Sequence, residues 1–449
     1  FALAALCAFA SVALASPGTL TTTVEVAEQD VLVEQKDGFD VVRLRAGLST
    51  HEEGYPELPL MLVRFALPDG AVALGAEARV LSRSELPGSF LVRPRQPEVP
   101  LSMPGLARWI DPDEAAYASQ LPYPEQSCVL LGSGNAGGQG IATVAFYPVQ
   151  YVAAERKLYV NETTEIALTI ALAPKTARMP GPLSPKSARA TAERARALVV
   201  NPEAVIDRSE GPRAGRSEID YLIITPSSYE TTFQALADWK AQKGLTTEVV
   251  TTTWVYSNYT GVDAQEQIRN CIIDYYENKG TMWVLLGGDT GVLPARTVYA
   301  MTSGVGGPAD EDKIRCDLYY GDLDGTWDAN GDGTYGQISL DEIDMYADVF
   351  VGRAPIDNAT EAARFVNKVL TYEGAPGGDP LATGYQEDML FMAEVLWTDP
   401  WTDNAICKNM IDDESVPEQF DPITKLYQTS GNLSRSTAVA AMNAGYNII

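Results

Sequence analysis

Residues 283–289 read Trp283-Val284-Leu285-Leu286-Gly287-Gly288-Asp289: an apolar run, a glycine pair and a carboxylate. A short continuous apolar run closed by glycine is the pattern of a strand buried on both faces. Upstream, Asp263-Ala264-Gln265-Glu266 has the spacing of a capping box and predicts a helix reaching Asn278. Before it, Thr246–Val255 reads as β-rich, and Tyr229–Lys243 predicts a helix with Phe233, Leu236 and Ala237 on one face and Gly244 as its stop. Tyr221-Leu222-Ile223-Ile224 is a second buried-strand run. Downstream, Val349–Val351 predicts a strand, Asn358 caps a helix to Tyr372, and Met389–Met392 is a strand ending at Glu394. A helix at Ala405–Ile411, a strand at Lys425–Gln428, a helix at Ser434–Asn443 and a strand at Tyr446–Ile449 follow. Strands alternating with helices imply a mainly parallel sheet with helices on both faces. Ligands of such sheets lie beyond the carboxyl ends of the strands, which singles out Asp289 and Glu394.

The chain before this region has another texture. Between residues 20 and 173 short β-rich runs such as Val31–Glu34, Val41–Leu44, Met61–Ala66, Val72–Leu74, Val144–Tyr147 and Glu165–Ala171 are broken by Pro and Gly, which predicts an all-β, sandwich-like domain. Residues 174–217 carry Pro174, Pro180, Pro182 and Pro185, then Ala188–Ala197 with Arg189, Arg194 and Arg196, and read as an exposed linker with processing sites. Residues 1–16 are apolar up to Leu14 and close on Ala13-Leu14-Ala15, the h-region and cleavage pattern of a secretory signal. That stretch is too short to span a bilayer as a helix.

Composition narrows the function. A net charge of −27 over 449 residues argues against a nucleic-acid or anionic-membrane partner, which would need clustered Lys and Arg. It suits solubility outside the cell and divalent-cation binding. After the signal, Cys128, Cys271, Cys316 and Cys407 are widely spaced, so neither a zinc site nor a dense disulfide scaffold is indicated. His51 is the single histidine, in a predicted turn beside Glu52, Glu53 and Gly54.

Oxygen donors gather in two places. Asp328-x-Asn330-x-Asp332-Gly333 matches the first half of a calcium loop, but its twelfth position is Ser339 rather than Glu; a plain acidic turn is the alternative. Asp344, Tyr346 and Asp348 alternate along an extended segment and would share one side, suiting a hard cation or simply an exposed edge. After Glu394, Asp399 and Asp403 are candidate contacts to a basic substrate, with helix capping the plainer role for Asp403. Cys271 falls on the apolar face of its helix and reads as inert core.

Several stretches together resemble the gingipain-type cysteine peptidases: Asp220–Pro226, Leu236–Val249, Ile268-Arg269-Asn270, Val284–Asp289 with Leu293–Arg296, and Asp348–Arg353. Residues 20–200 resemble the pro-region of that family, including Gly54–Pro59 and Ala66–Gly70. The resemblance implies an all-β pro-region followed by a caspase-like α/β domain, with subdomains at 218–375 and 376–449. It implies structural calcium held by Asp289, Asp344, Asp348 and the carbonyl of Tyr346, and a less certain calcium role for Asp328, Asn330 and Asp332. Glu394 corresponds to the residue that supports the catalytic histidine. It further implies a secreted, bacterial, extracellular or cell-surface endopeptidase acting on protein or peptide substrates and held latent by its own pro-region as an intramolecular inhibitor. In the family, the strand resembling Tyr446–Ile449 runs into the catalytic histidine and the cysteine lies further on. The chain is therefore expected to stop before that dyad and to be inactive as written. The competing expectation is a non-catalytic calcium-binding surface or adhesion protein of the same fold.

Overall fold

The computed structural model describes residues 14–16, 18–44, 48–97, 108–172, 178–209, 215, 218–299, 314–337, 340–374, 387–398, 401–420 and 422–449. The chain divides into two compact units, Phe1–Val366 and Asn367–Ile449.

The first unit begins with β-structure. Its strands are β1 (Thr19–Glu25), β2 (Val31–Lys36), β3 (Phe39–Leu44), β4 (Pro59–Ala66), β5 (Ala71–Glu85), β6 (Cys128–Ala136), β7 (Gln139–Phe146), β8 (Val149–Val152) and β9 (Lys157–Leu172). One antiparallel sheet is built on β9, which takes β1 and β8 along one edge and β5 along the other. The second has the order Leu48–Ser49, β4, β7, β6 and is also antiparallel. Their inner faces meet through Leu20, Val24, Phe65, Val144, Phe146, Leu158, Ile166 and Leu168, all nearly inaccessible to water. The two antiparallel sheets share this one core. The strands are longer than their apolar runs, because β5 and β9 continue through Arg79, Arg83 and Glu165, whose side chains lie on the solvent face of the sheet.

Residues 178–209 are not an exposed linker. Helix α1 (Pro185–Leu198) starts on a Ser184 cap and buries Ser187, Ala188, Thr191, Ala192 and Ala195. Leu183 and Ala188 join the core that follows, whereas Ala192, Ala195 and Val205 pack with Ala66 of β4. Small side chains at helical spacing let the backbone lie close to both neighbours, and that pattern carries too little hydrophobicity to be read as a buried helix. Arg189, Arg194 and Arg196 accordingly stand on a structured helix, with Arg194 over the ring of Phe350.

The α/β part follows with β10 (Tyr221–Thr225), α2 (Glu230–Gln242), β11 (Thr247–Thr251), α3 (Thr252–Asn258), α4 (Ala264–Asp274), β12 (Trp283–Gly287), β13 (Arg296–Val298), β14 (Ile314–Cys316), β15 (Phe350–Ala354) and α5 (Ala359–Tyr372). Strands β11, β10, β12 and β15 form one parallel sheet in that order. Leu222, Ile224, Val284 and Leu286 are buried with Ile268, Cys271, Ile272 and Tyr276 of the covering helix segment. The β-rich stretch expected to reach Val255 ends at Thr251, whose hydroxyl accepts from Trp254 N and opens α3. Asp263 caps α4 as expected, accepting from Glu266 N, but the Glu266 carboxylate reaches back to Val262 N. Beyond Asp274 the helix widens into a π-helical turn that ends at Gly280, in the left-handed region at φ 71°. Gly287 leaves no room for a side chain: a Cβ there would meet Phe233 and Thr225.

The second unit contains β16 (Leu390–Ala393), β17 (Val395–Thr398), β18 (Trp401–Asp403), α6 (Asn404–Ser415), β19 (Thr424–Tyr427) and α7 (Arg435–Ala444). β16 pairs in parallel with β19, and β17 with β18 antiparallel. Tyr446–Ile449, expected as a strand, makes a single parallel bridge from Ile448 to Met389. No helix among the described residues is long and apolar enough to cross a membrane.

Candidate functional site

The acidic loop after β14 is fixed first by arginine. Arg269 of α4, itself buried, donates from Nε to the Tyr319 carbonyl (2.9 Å) and from Nη2 to the carbonyls of Asp322 (2.8 Å) and Asp324 (3.2 Å). Arg178 donates from Nε to the Leu323 carbonyl at 2.7 Å, and its backbone N–H donates to Asp324 Oδ1. The chain is thereby drawn into a pocket where Asp322 and Asp348 are fully buried and Asp324 and Asp344 half-buried.

The turn joining β6 to β7 enters this pocket. Asn135 Nδ2 donates to Asp324 Oδ2 (3.0 Å), Asp348 Oδ1 (2.9 Å) and the Arg178 carbonyl (3.1 Å), while its backbone N–H donates to Asp344 Oδ2 (2.6 Å). Gly137 N adds a bond to Asp348 Oδ1 (3.3 Å), Leu323 N reaches Asp348 Oδ2 (2.9 Å), and the Thr143 and Tyr346 hydroxyls share a bond of 2.6 Å. A side chain at Gly134 would run into the Tyr346 ring and the Asp344 carboxylate, and one at Gly137 into Thr191 and the Asp348 carbonyl. Beside this contact lies a groove of 560 Å³ with Asp69, Asp324, Glu342 and Asp344 on its walls.

Burial pushes all four carboxyl groups upward. Asp322 is raised to about 7 and Asp344 to about 6, Asp324 rises, and Asp348 rises well above the ordinary carboxylate range. Repulsion from neighbouring aspartates adds to the shift at Asp322, Asp344 and Asp348. Desolvation disfavours the charged form, and hydrogen bonds from N–H groups offset only part of it.

The expected calcium ligands separate. Asp289 lies in the turn after β12, where its Oδ1 accepts from Gly291 N (2.9 Å) and Val292 N (3.1 Å). Arg353 locks that turn by donating to the carbonyls of Gly288 and Leu293 while paired through both nitrogens with Asp317. Asp344, Tyr346 and Asp348 are together, but the two carboxylates accept from Asn135, Gly137 N, Leu323 N and Tyr346 N, and the Tyr346 hydroxyl is bonded to Thr143. Among the described residues no three His, Cys, Asp or Glu side chains converge as a metal ion requires. In this arrangement, with an amide nitrogen between Asp324 and Asp348, the residues do not fit a metal.

The second donor set is an ordered loop. Asp328 accepts from Gly333 N (3.2 Å), Asp332 Oδ1 from Thr334 N (2.7 Å) and Asn330 Oδ1 from Asp332 N (3.0 Å). Asp341 closes it, accepting from Ala329 N and Gln337 N. Ser339 lies outside the described residues.

In the second unit Glu394 is exposed directly after β16, and its carbonyl accepts from Asn404 N (3.3 Å). It borders a cleft of 570 Å³ with Asn404, Gln428 and Ser434. Asp403 caps α6 by accepting from Ala405 N at 2.9 Å, so its carboxylate has a structural task. Asp399 lies outside the described residues.

Cys128, Cys271, Cys316 and Cys407 are free thiols. Burial pushes Cys128 up to about 11 and Cys271 up to about 12, so neither supplies a thiolate. His51 is exposed in a groove with Glu52 and Tyr123, and no described thiol is hydrogen-bonded to it.

Sequence reasoning missed Asn135 and the roles of Asp322 and Asp324. The available signal was Asn135-Ala136-Gly137-Gly138 between two β runs, a hairpin signature.

Residues 215–449 match the family model described as Peptidase family C25. Gingipain R2 of Porphyromonas gingivalis (strain ATCC BAA-308 / W83) is 27% identical over 154 residues, covering 34% of this chain and 16% of that protein's length. A structure concerned with zymogenic latency of gingipain K from Porphyromonas gingivalis is 23% identical and covers 36% of this chain and 92% of its own, at a TM-score of 0.31. The Arg-specific cysteine proteinase gingipain R (RGPB) is 21% identical, covers 53% of this chain and 47% of its own, at 0.36. A complex of pro- and mature domains of RgpB from Porphyromonas gingivalis is 14% identical, covers 43% and 96%, and scores 0.35.

Proposed function

Because the chain belongs to peptidase family C25, we propose that it forms part of an exported cysteine endopeptidase precursor whose β-rich residues 20–173 serve as pro-region. The observation that carries this reading is the family match over residues 215–449. Two others support it: the β6–β7 turn docks into the acidic loop of the α/β part, and residues 1–14 have the texture of an export signal. In the proposed chemistry a thiolate attacks a peptide carbonyl and an imidazole protonates the leaving amine. Glu394, exposed at the end of β16, would orient that imidazole. Among the described residues no thiol is hydrogen-bonded to His51, so the thiolate and the imidazole are not assigned to Cys128, Cys271, Cys316, Cys407 or His51.

Calcium is proposed for the loop with Asp328, Asn330 and Asp332, supported by the Asp328 contact to Gly333 N and by its hard oxygen donors. It would stiffen that loop without touching the bond that breaks. A melting temperature that does not fall on chelation would remove this proposal.

The decisive experiment expresses the complete reading frame that contains this chain and follows hydrolysis of a peptide library. Hydrolysis abolished by iodoacetamide is expected, with Glu394→Gln lowering kcat more than it changes KM. If no thiol-sensitive hydrolysis appears after the β-rich segment is cleaved away, the non-catalytic, calcium-binding surface protein becomes the better reading.

A further inference from the structure

We infer that residues 178–183 and the π-helical turn Tyr275–Lys279 form a two-state latch: the turn keeps its wide register only while Gly181 is seated on it, and tightens to α-helix when that segment leaves. The latch is a matter of backbone contacts and holds whatever reaction the complete protein catalyses.

In an α-helix each carbonyl accepts from the N–H four residues on. At this turn the Gly280 N–H passes over Tyr276 and donates to the Tyr275 carbonyl, which also accepts from Thr281 N at 3.2 Å. The Tyr276 carbonyl is thereby released from its own helix, and Gly181 N donates to it at 2.8 Å. Gly181 thus stands where Gly280 would stand in α register. The fit excludes any side chain, because a Cβ at Gly181 would lie 2.7 Å from Glu277 O and 3.1 Å from Gly280 N. Three further contacts seat the segment. Arg178 Nη1 pairs with Glu277 Oε1 at 2.8 Å, Leu183 joins the core that holds Tyr275 and Tyr276, and just beyond it Ser187 Oγ donates to buried Asp220 at 2.6 Å.

Turns of this kind are rare and concentrate at functional sites. Here the partner that the helix gives up is supplied from outside it. Tyr276 is fully buried, so its carbonyl cannot turn to water when Gly181 departs. The donor that α register offers instead is Gly280 N. Taking it rewinds Glu277–Lys279 by one residue, roughly 100° about the helix axis. Lys279 carries the change outward: its carbonyl accepts from Glu218 N (3.1 Å) and Ile219 N (3.3 Å), and its ammonium reaches Glu248 at 3.5 Å. The seating of residues 178–183 is therefore coupled to the entry of β10 and to β11, two strands of the parallel sheet.

The test uses the full chain carrying Gly181→Ala, whose Cβ cannot share the space of Glu277 O. Its crystal structure should show residues 178–183 lifted and Gly280 N bonded to the Tyr276 carbonyl. A turn that keeps the bond to the Tyr275 carbonyl overturns the inference, whether the segment is seated or lifted. Deletion of exposed Asn278 tests the same coupling from the other side, because one residue fewer brings the turn to α spacing. Trypsin should then cut after exposed Lys186 and Arg189 at least about tenfold faster than in the parent, since cleavage follows the population of the unseated segment. Equal rates refute the latch, and this variant decides if Gly181→Ala does not fold.

Discussion

Asn201 offers a direct measure of how firmly residues 178–209 grip the β-rich part. Its side chain is fully buried, with Oδ1 accepting from Ala66 N at 2.7 Å and Nδ2 donating to the Ala66 carbonyl at 2.9 Å. Ala66 pairs with Ile141 on one side of β4, while the neighbour on the other edge, Leu48–Ser49, reaches only Pro59 and Leu60. Val200 N bonds Arg64 O further along that edge, so residues 200–201 complete the unpaired edge as a strand would. Asn201→Ala leaves one buried N–H and one buried C=O unsatisfied, each costing about 1–3 kcal/mol, and the expected loss is about 3 kcal/mol. Urea unfolding followed by intrinsic fluorescence gives the number. Asn201→Asp should be at least as damaging at neutral pH, because its carboxylate faces a carbonyl, yet recover on acidification, when the neutral acid can donate as the amide did. A loss under about 0.5 kcal/mol for the alanine variant, set against the cost of two orphaned groups, would refute the reasoning, as would an aspartate variant indifferent to pH.

Two further outcomes test the site. Maleimide labelling at pH 8 with peptide mapping should modify exposed Cys407 first and half-buried Cys316 more slowly; Cys128 and Cys271 should react more than about a thousandfold slower until the chain unfolds. In chelator, the raised carboxyl of Asp322 contributes stability that is full below its ordinary 3.8 and is lost as pH climbs through about 7. Asp322→Asn lacks that titration, so its stability relative to the parent should improve by about 3 kcal/mol between pH 5 and pH 8; urea curves that keep the same spacing at both would contradict it.

What could be read from the chain follows from how local each signal is. Tyr221–Ile224 and Trp283–Leu286 are continuous apolar runs, and Gly244, Asp263 and Asn358 act on backbone groups within a few residues. Those elements stand where the pattern put them. Helix α1 was misread because its buried face is Ser, Ala and Thr, which gain their contacts from close backbone approach rather than from apolar bulk. The acid cluster was half-read: alternation placed Asp344, Tyr346 and Asp348 together, but their partner is Asn135, more than two hundred residues earlier. Nothing local in either stretch announces the other. Asp289 was drawn by its place after β12, where its own turn consumes its Oδ1.

The antiparallel pairing of β1 with β9 sets an order of events during synthesis. Thr19 pairs with Thr169, so the first sheet cannot close until the ribosome has made the whole β-rich segment, roughly 10–30 s after Thr19 at ordinary elongation rates. The β6–β7 hairpin that carries Asn135 belongs to the second sheet, and its residues too are made before residues 322–348. In the order of synthesis, the aspartates are therefore the later half of the contact whose donors come from Asn135 and Gly137.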